Sequence, residues 1–305
     1  MKKEVSGFAP CVIITYNRLE HTQKVISALK NNRLAKDTDV YVFSDNGKND
    51  EDKRMVDEVR KYLSTVIGFN KFEIIKRETN YGLARNIISA VSEVIDIYGK
   101  AIVLEDDICV AEFFLEYMNN ALAVYEEQKN VMSISGYSFP MKKTGLKETY
   151  FLKMGECWGW ATWKDRWELF DKNPEKLIKL FSKNDIYHFN LENRYDYWAQ
   201  VLGNYANKIN TWAVFWYATI YQNGGLTLYP RNSLVQNIGF DGTGTNTDAW
   251  DGYLVDVSDQ GISFFEEDIR ENKRARHYLK RYYDKQNSFI DNVIRTLSWI
   301  RSRNE

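Results

Sequence analysis

Ala101-Ile102-Val103-Leu104-Glu105-Asp106-Asp107 is the stretch on which the reading turns. Four apolar residues in a row suit a strand covered on both faces. The three acids that follow repel one another unless positive charge joins them. A divalent cation chelated by a diphosphate would meet that need, since hard Mn2+ or Mg2+ prefers carboxylate and phosphate oxygens. Such an ion would also neutralise charge building on a departing diphosphate. A solvated acidic turn is the plain alternative. The triplet alone does not separate the two, and its place after a fourth buried strand favours the first.

The three earlier strands are read upstream. Cys11-Val12-Ile13-Ile14-Thr15-Tyr16 is a short apolar run ending in a polar turn. Val40 to Ser44 is the second, stopped by the turn signal Asp45-Asn46-Gly47. Phe72 to Ile75 is the third, broken at Asn80-Tyr81-Gly82. Helices fall between them: Leu19 to Leu29, then one carrying Met55, Val59, Tyr62, Leu63 and Val66. The clearest bears Ala84, Ile87, Ile88, Val91, Val94, Ile95 and Tyr98 at spacings of three and four. Downstream, a helix with Phe113, Phe114, Tyr117, Met118, Ala121 and Leu122 leads to a fifth strand, Val131 to Ile134. This alternation predicts an α/β fold with a mostly parallel, Rossmann-like sheet flanked by helices. Ligands of such sheets bind beyond the carboxyl ends of the strands.

After residue 137 the pattern loosens. Residues 155–232 are rich in aromatics, with helices expected near 174–182 and 193–207. Asn237 to Gly252 is rich in Gly, Asn, Asp and Thr and reads as a loop or lid. From about Glu271 a long amphipathic helix carries Leu279, Tyr282, Ile290, Val293, Ile294, Leu297 and Ile300 on one stripe. Three parts follow: an α/β half at 1–137, a second half of the same domain at 138–268, and a basic helical tail at 269–305.

Composition bounds the function. The 305 residues are 44% hydrophobic and 27% charged, as in an ordinary globular protein with a sizeable core. A net charge of −1 gives no bulk attraction to nucleic acid. The tail from Arg270 nevertheless holds ten Lys/Arg against four acids. Cys11, Cys109 and Cys157 lack paired or metal-like spacing and read as free thiols. His21, His188 and His277 lie far apart, so a zinc site is not expected. The first residues lack a signal-peptide core, and no run approaches the roughly 20 apolar residues of a membrane span, so a cytoplasmic protein is expected.

Other residues carry chemistry more weakly. Arg18 follows strand one and Asp45 ends strand two, which puts both near one sheet edge. An arginine there can bind phosphate bidentately, and a carboxylate can accept from a base or ribose. A surface arginine and a turn aspartate are the plainer readings. Asp196 lies in Arg194-Tyr195-Asp196-Tyr197-Trp198, flanked by rings on an otherwise apolar helix. It is either a general base with a raised pKa or a satisfied structural residue. Trp158 to Trp163 is too aromatic to face solvent, and shapes a cleft or packs a core. Phosphate-loop and dinucleotide-binding glycine motifs are absent after strand one.

Ile13 to Arg18, then Phe43 to Gly47, then Val103 to Asp107 together resemble a GT-A glycosyltransferase. In particular, Glu105 to Tyr117 is similar to the acidic motif and following helix of the N-acetylglucosaminyltransferase I family and its bacterial relatives. Weaker likeness runs through Gly155 to Trp167, Tyr195 to Trp198 and Tyr229 to Gly242, covering roughly residues 10–245. The resemblance implies inverting transfer from a UDP-sugar, with UDP-GlcNAc the family's donor. By that likeness Asp107 holds Mn2+ (or Mg2+), Asp106 meets the ribose and Glu105 the donor sugar. Arg18 and Asp45 hold the uridine part. Asp196 matches the catalytic base, although a Trp-Asp-Asp-Trp-like motif reads Tyr-Asp-Tyr-Trp here. Residues 237–246 match a segment that orders over the donor. A glycan or lipid-linked saccharide acceptor in bacterial surface polysaccharide synthesis is implied. The tail over 270–303 then either lies on the inner face of an anionic membrane or packs its stripe on the enzyme. A nucleotidyltransferase and a non-catalytic carbohydrate-binding protein are the competing classes.

Overall fold

The computed structural model describes residues 7–241 and 252–301, with side chains through 288. The elements run β1 (Cys11–Thr15), α1 (Leu19–Lys30), β2 (Asp39–Ser44), α2 (Asp50–Leu63), β3 (Lys71–Lys76), α3 (Leu83–Tyr98) and β4 (Lys100–Glu105). Next come β5 (Ile108–Val110), α4 (Phe114–Val124), β6 (Val131–Ser135), β7 (Thr149–Leu152), β8 (Trp160–Trp163) and α5 (Lys164–Trp167). The chain finishes with α6 (Pro174–Leu180), α7 (Lys183–Phe189), α8 (Tyr197–Tyr205), α9 (Ala213–Gln222), β9 (Leu226–Pro230), β10 (Val235–Asn237) and α10 (Lys273–Arg301).

Eight strands form one mixed sheet in the order β3-β2-β1-β4-β8-β6-β9-β7. Its first four are parallel, as the strand-helix alternation requires. β8 runs antiparallel between β4 and β6, where no strand was expected. Its sequence, Trp-Ala-Thr-Trp, is buried on both faces, so it shows no polar alternation to betray a strand. Successive β1 side chains divide between two cores. Cys11 and Ile13 pack with α1, α2 and α4 residues. Val12 and Ile14 pack with Ala84, Ile87 and Val91 of α3 and with Trp160 and Trp216.

The register sets the site. Ile14 pairs with Glu105, and Thr15 with Ser44, so β1, β2 and β4 end level at one edge. β8 pairs Trp160 with Val103, and the chain entering it therefore passes the same edge from the other side. β5 and β10 form a two-stranded antiparallel ribbon that brings Asn237 opposite Ile108.

Of two helical expectations one is met and one is corrected. The segment near 174–182 is α6, started by Pro174 after the Asn173 cap, and a Ser182/Asp185 capping box then opens α7. The helix expected over 193–207 is α8 and begins only at Tyr197, because Leu191, Glu192 and Asn193 take positive φ. α9 is apolar all round, without a stripe to read, and is buried from Val214 to Ile220.

The tail's first turns belong to the body. Ala275, Leu279, Tyr282 and Tyr283 join the main core, and Phe151 of β7 bridges to Glu271. Arg276 and Lys280 pair with Glu192. The side chains of the remaining stripe, from Ile290 to Ile300, lie outside the described residues. So does 242–246 of the segment matched to a donor-covering loop. Among the described residues no helix is long and apolar enough to cross a membrane.

Candidate active site

Beyond the level strand ends lies a cleft of about 460 Å3. Its one wall is Thr15 to Arg18, Asp45, Asn80, Gly82, Asn86 and Glu105 to Asp107. The other is Cys157, Trp158, Gln200, Asn210 to Ala213 and Asn237. Such a volume suits a small-molecule ligand. Five of the six sequence-predicted residues thus meet in one place: Arg18, Asp45, Glu105, Asp106 and Asp107.

Arg18 is the centre of charge. Its Nη2 donates to Asp106 Oδ1 and, at 2.7 Å, to Asp107 Oδ2. Burial opposes the guanidinium charge, but the two carboxylates more than offset this and raise its pKa. The Tyr16 amide also donates to Asp106 Oδ2 at 3.2 Å. Burial, then the neighbouring Asp107 and Asp106 charges, push Glu105 up to about 8, against the pull of Arg18. Burial likewise raises Asp106, with Arg18 opposing. Negative charge is therefore crowded and only partly neutralised, the condition inferred from the triplet.

Two buried polar atoms of this wall, Thr15 Oγ1 and Arg18 Nη1, have no hydrogen-bond partner. Buried polar groups are usually paired, and ordered water or a ligand can supply the missing partner. Gly239 closes over the corner. A Cβ there would fall 2.3 Å from Asp107 Oδ2, so a larger residue would displace that carboxylate. The Ile238 amide donates to the Asp107 carbonyl at 2.9 Å, holding this approach.

Asp45 lines the cleft beside these residues and is tied to the loop before α3. Its Oδ1 accepts from the amides of Asn46 and Tyr81 at 2.9 and 2.8 Å. Its Oδ2 accepts from the Gly82 amide at 2.9 Å and Asn80 Nδ2 at 3.3 Å. Four donors fill its acceptor capacity, and the residue fixes the loop that opens α3.

Asp196 stands apart. It is exposed and is not in the cleft lining. It lies before α8 rather than on it, as the N-cap. Its Oδ1 accepts from the Ala199 amide at 3.0 Å and from Asn190 Nδ2 at 2.9 Å. The first is the usual task of a capping aspartate.

Gln200 and Asn210 to Ala213 carried no signal in the sequence. They are an ordinary helix residue and a polar connector, positioned when Asn204 accepts from the Thr211 amide and donates to Thr211 Oγ1. Asn237 was legible only as part of a Gly/Asn-rich run. No three-carboxylate, histidine or cysteine cage for a metal occurs among the described residues.

Residues 11–166 match the family model described as Glycosyl transferase family 2. No curated protein matches the chain. Solved structures with similarity include S. aureus TarS, at 17% identity over 47% of this chain and 25% of that one, with a TM-score of 0.34. S. aureus TarS 1–349 matches at 13% identity over 75% of this chain and 59% of that one, with a TM-score of 0.42. The mannosyltransferase PcManGT from Pyrobaculum calidifontis, in complex with GDP-Man and Mn2+, matches at 11% identity over 73% of each chain, with a TM-score of 0.39. The chain spans a quarter of the first of these proteins and 59% of the second. Likenesses this distant carry no argument about substrate.

Proposed function

The chain belongs to glycosyl transferase family 2, and from that premise we propose an inverting, divalent-cation-dependent enzyme that uses a UDP-sugar. UDP-GlcNAc is the first donor to try, given the likeness of Glu105 to Tyr117 to the N-acetylglucosaminyltransferase I family. The acceptor is a saccharide or lipid-linked saccharide of bacterial surface polysaccharide synthesis, met at the inner face of the cytoplasmic membrane. Residues 1–137 bind the donor, 138–268 the acceptor, and 269–305 form the tail.

One observation carries this reading. The acidic corner, with Arg18 bound between Asp106 and Asp107, opens into a cleft at the carboxyl ends of parallel strands. The corner already binds one positive group, and its donors are hard oxygens, so the residues fit Mn2+ or Mg2+. With no protein-only cage among the described residues, Asp107 would share the ion with the donor's diphosphate. When bound, the ion supplies charge neutralisation on the leaving nucleotide. Arg18 has Nη1 free for a phosphate oxygen. Asp106 and Glu105 face the ribose and the donor sugar, and Asp45 holds the loop that carries Asn80 and Gly82. Asp196 is the base. With Oδ1 fixed by two donors, its carboxylate is oriented, and Oδ2 can take the acceptor hydroxyl's proton. As that proton leaves, the oxygen bonds to the anomeric carbon and the bond to the diphosphate breaks.

UDP release from a panel of UDP-sugars, with Mn2+ or with EDTA, tests the reading. At least one donor should release UDP only with the cation. Release unaffected by EDTA overturns the metal role, and failure of UDP to bind at all overturns the donor class.

A further inference from the structure

Bordering the far wall of the cleft, and half-buried, is a carboxylate that the reaction above does not use. Glu156 directly precedes Cys157 and Trp158, both cleft-lining residues. Its backbone is held close to α9: at Gly155 a Cβ would come 2.9 Å from Tyr217 Cα. Its Oε1 accepts from the Cys157 amide at 2.8 Å. Burial pushes the Glu156 carboxyl up to about 7, while the amides of Cys157 and Trp158 pull it down. The Cys157 thiol also donates to it, and among the described residues no Lys or Arg pairs with it. A desolvated carboxylate without a cation is costly, and persists where something else supplies donors.

The surroundings indicate what that is. Burial, with the Glu156 charge adding to it, raises the hydroxyls of Tyr137, Tyr195, Tyr253 and Tyr282, so all four lie within electrostatic reach. Trp158, Tyr195 and Tyr253 are only half-buried and keep ring surface open. Trp158 stands edge-on to Tyr137 and Tyr253, with ring centres 4.7 and 5.3 Å away. Cys157 links this region to the donor corner, since its thiol feels Glu156, Glu105 and Asp107 together. Tyr195 feels both Glu156 and Asp196, and its ring packs on Tyr283 with ring centres 5.2 Å apart. A second anion here would be repelled from both sides. A neutral sugar matches, because its hydroxyls donate to a carboxylate while its C–H faces lie on aromatic rings.

We propose that Glu156, with Trp158, Tyr195 and Tyr253, forms the acceptor subsite, where the carboxylate accepts hydrogen bonds from hydroxyls of a neutral hexose ring. It extends the transferase reading above and determines acceptor specificity rather than chemistry at the donor.

Binding is measured without relying on turnover. The full chain is titrated with p-nitrophenyl glucoside, galactoside, mannoside and N-acetylglucosaminide by saturation-transfer NMR, with and without UDP and Mn2+. At least one hexoside should bind, and Glu156→Gln should raise its Kd about ten- to hundredfold, the worth of hydrogen bonds to a charged acceptor. Tyr195→Ala, which removes one of the three rings, should raise the same Kd and decides the matter if Glu156→Gln does not fold. A merely structural Glu156 would alter the melting temperature of Glu156→Gln and leave hexoside Kd within twofold of wild type, and that result overturns the proposal. So does the absence of any hexoside binding up to about 10 mM, beyond the weak end of specific recognition. UDP release is scored separately, so a failed donor assignment is not confused with a failed subsite.

Discussion

The acidic corner and the aromatic wall behind Trp158 both desolvate carboxylates, yet they answer the cost in opposite ways. At the corner, Arg18 is drawn between Asp106 and Asp107, and Glu105 still rises to about 8. On the wall, Glu156 has two backbone amides and a ring of tyrosines but no cation among the described residues. A site prepared for a doubly charged ion and a diphosphate must hold spare negative and positive groups together. One prepared for hydroxyls needs only acceptors and apolar faces. Under the proposed function, the two regions differ in charge balance as their partners do.

Removing Asp107 should separate the walls most sharply. Asp107→Ala should lose roughly a thousandfold in transfer, the scale of one strong electrostatic contact to developing charge, together with cation-dependent UDP binding. Asp196→Asn should keep UDP binding and lose about a hundredfold or more in kcat, as expected for a missing base. Titration calorimetry with UDP and Mn2+ beside steady-state kinetics distinguishes them, and equal loss of UDP binding in both would break the division.

Arg18→Gln probes the corner's own electrostatics. It leaves two largely buried carboxylates unpaired, so stability in EDTA should fall by about 3 kcal/mol. Adding Mn2+ and UDP should return part of that loss, because ligands that bind the folded state stabilise it. Denaturant titration under both conditions measures the effect. No loss in EDTA would mean the corner is not short of positive charge.

Gly155→Ala tests how tightly the opposite wall is set. The added methyl meets backbone and side chain of Tyr217 at about 3 Å, so a loss of about 2 kcal/mol is expected from overpacking. Hexoside binding should weaken with it, while UDP affinity holds, which the same NMR and calorimetric titrations report.

The smallest effect concerns the support behind that wall. Burial opposes charge on Glu192, but Lys280 and Arg276 of α10 outweigh it and hold the carboxyl at about 2. Because this lies below the ordinary 4.5, the contribution is complete above that value and disappears as pH falls from about 4.5 towards 2. Wild type should therefore lose about 1–2 kcal/mol more than Glu192→Gln between pH 5 and pH 2.5. Urea midpoints at the two pH values check it, and parallel losses would show the ion pairs to be idle.

Legibility differed between the walls for a physical reason. β1, β2, β3, β4 and β6, the helices between them and the acidic triplet were readable, since covered parallel strands and amphipathic helices print their burial as local periodicity. Arg18, Asp45 and residues 105–107 follow because each ends or closely follows such a strand. β8 and α9 were not readable, being apolar on every side. Glu156 was hidden between a glycine and a cysteine, in a segment with no pattern of its own. Asp196 was noticed for its rings, but its N-cap position depends on positive φ at 191–193.

By itself, then, the sequence determined the parallel half of the sheet and the crowding of acids at its edge, because a covered strand and the residues that end it are local features. Only the tertiary structure decided that β8 runs back between β4 and β6, that Asp45 spends its oxygens on the Asn80–Gly82 loop, and that Tyr195 comes within electrostatic reach of Glu156. Those facts rest on contacts between residues far apart in the chain, and such contacts leave no period in the sequence to read.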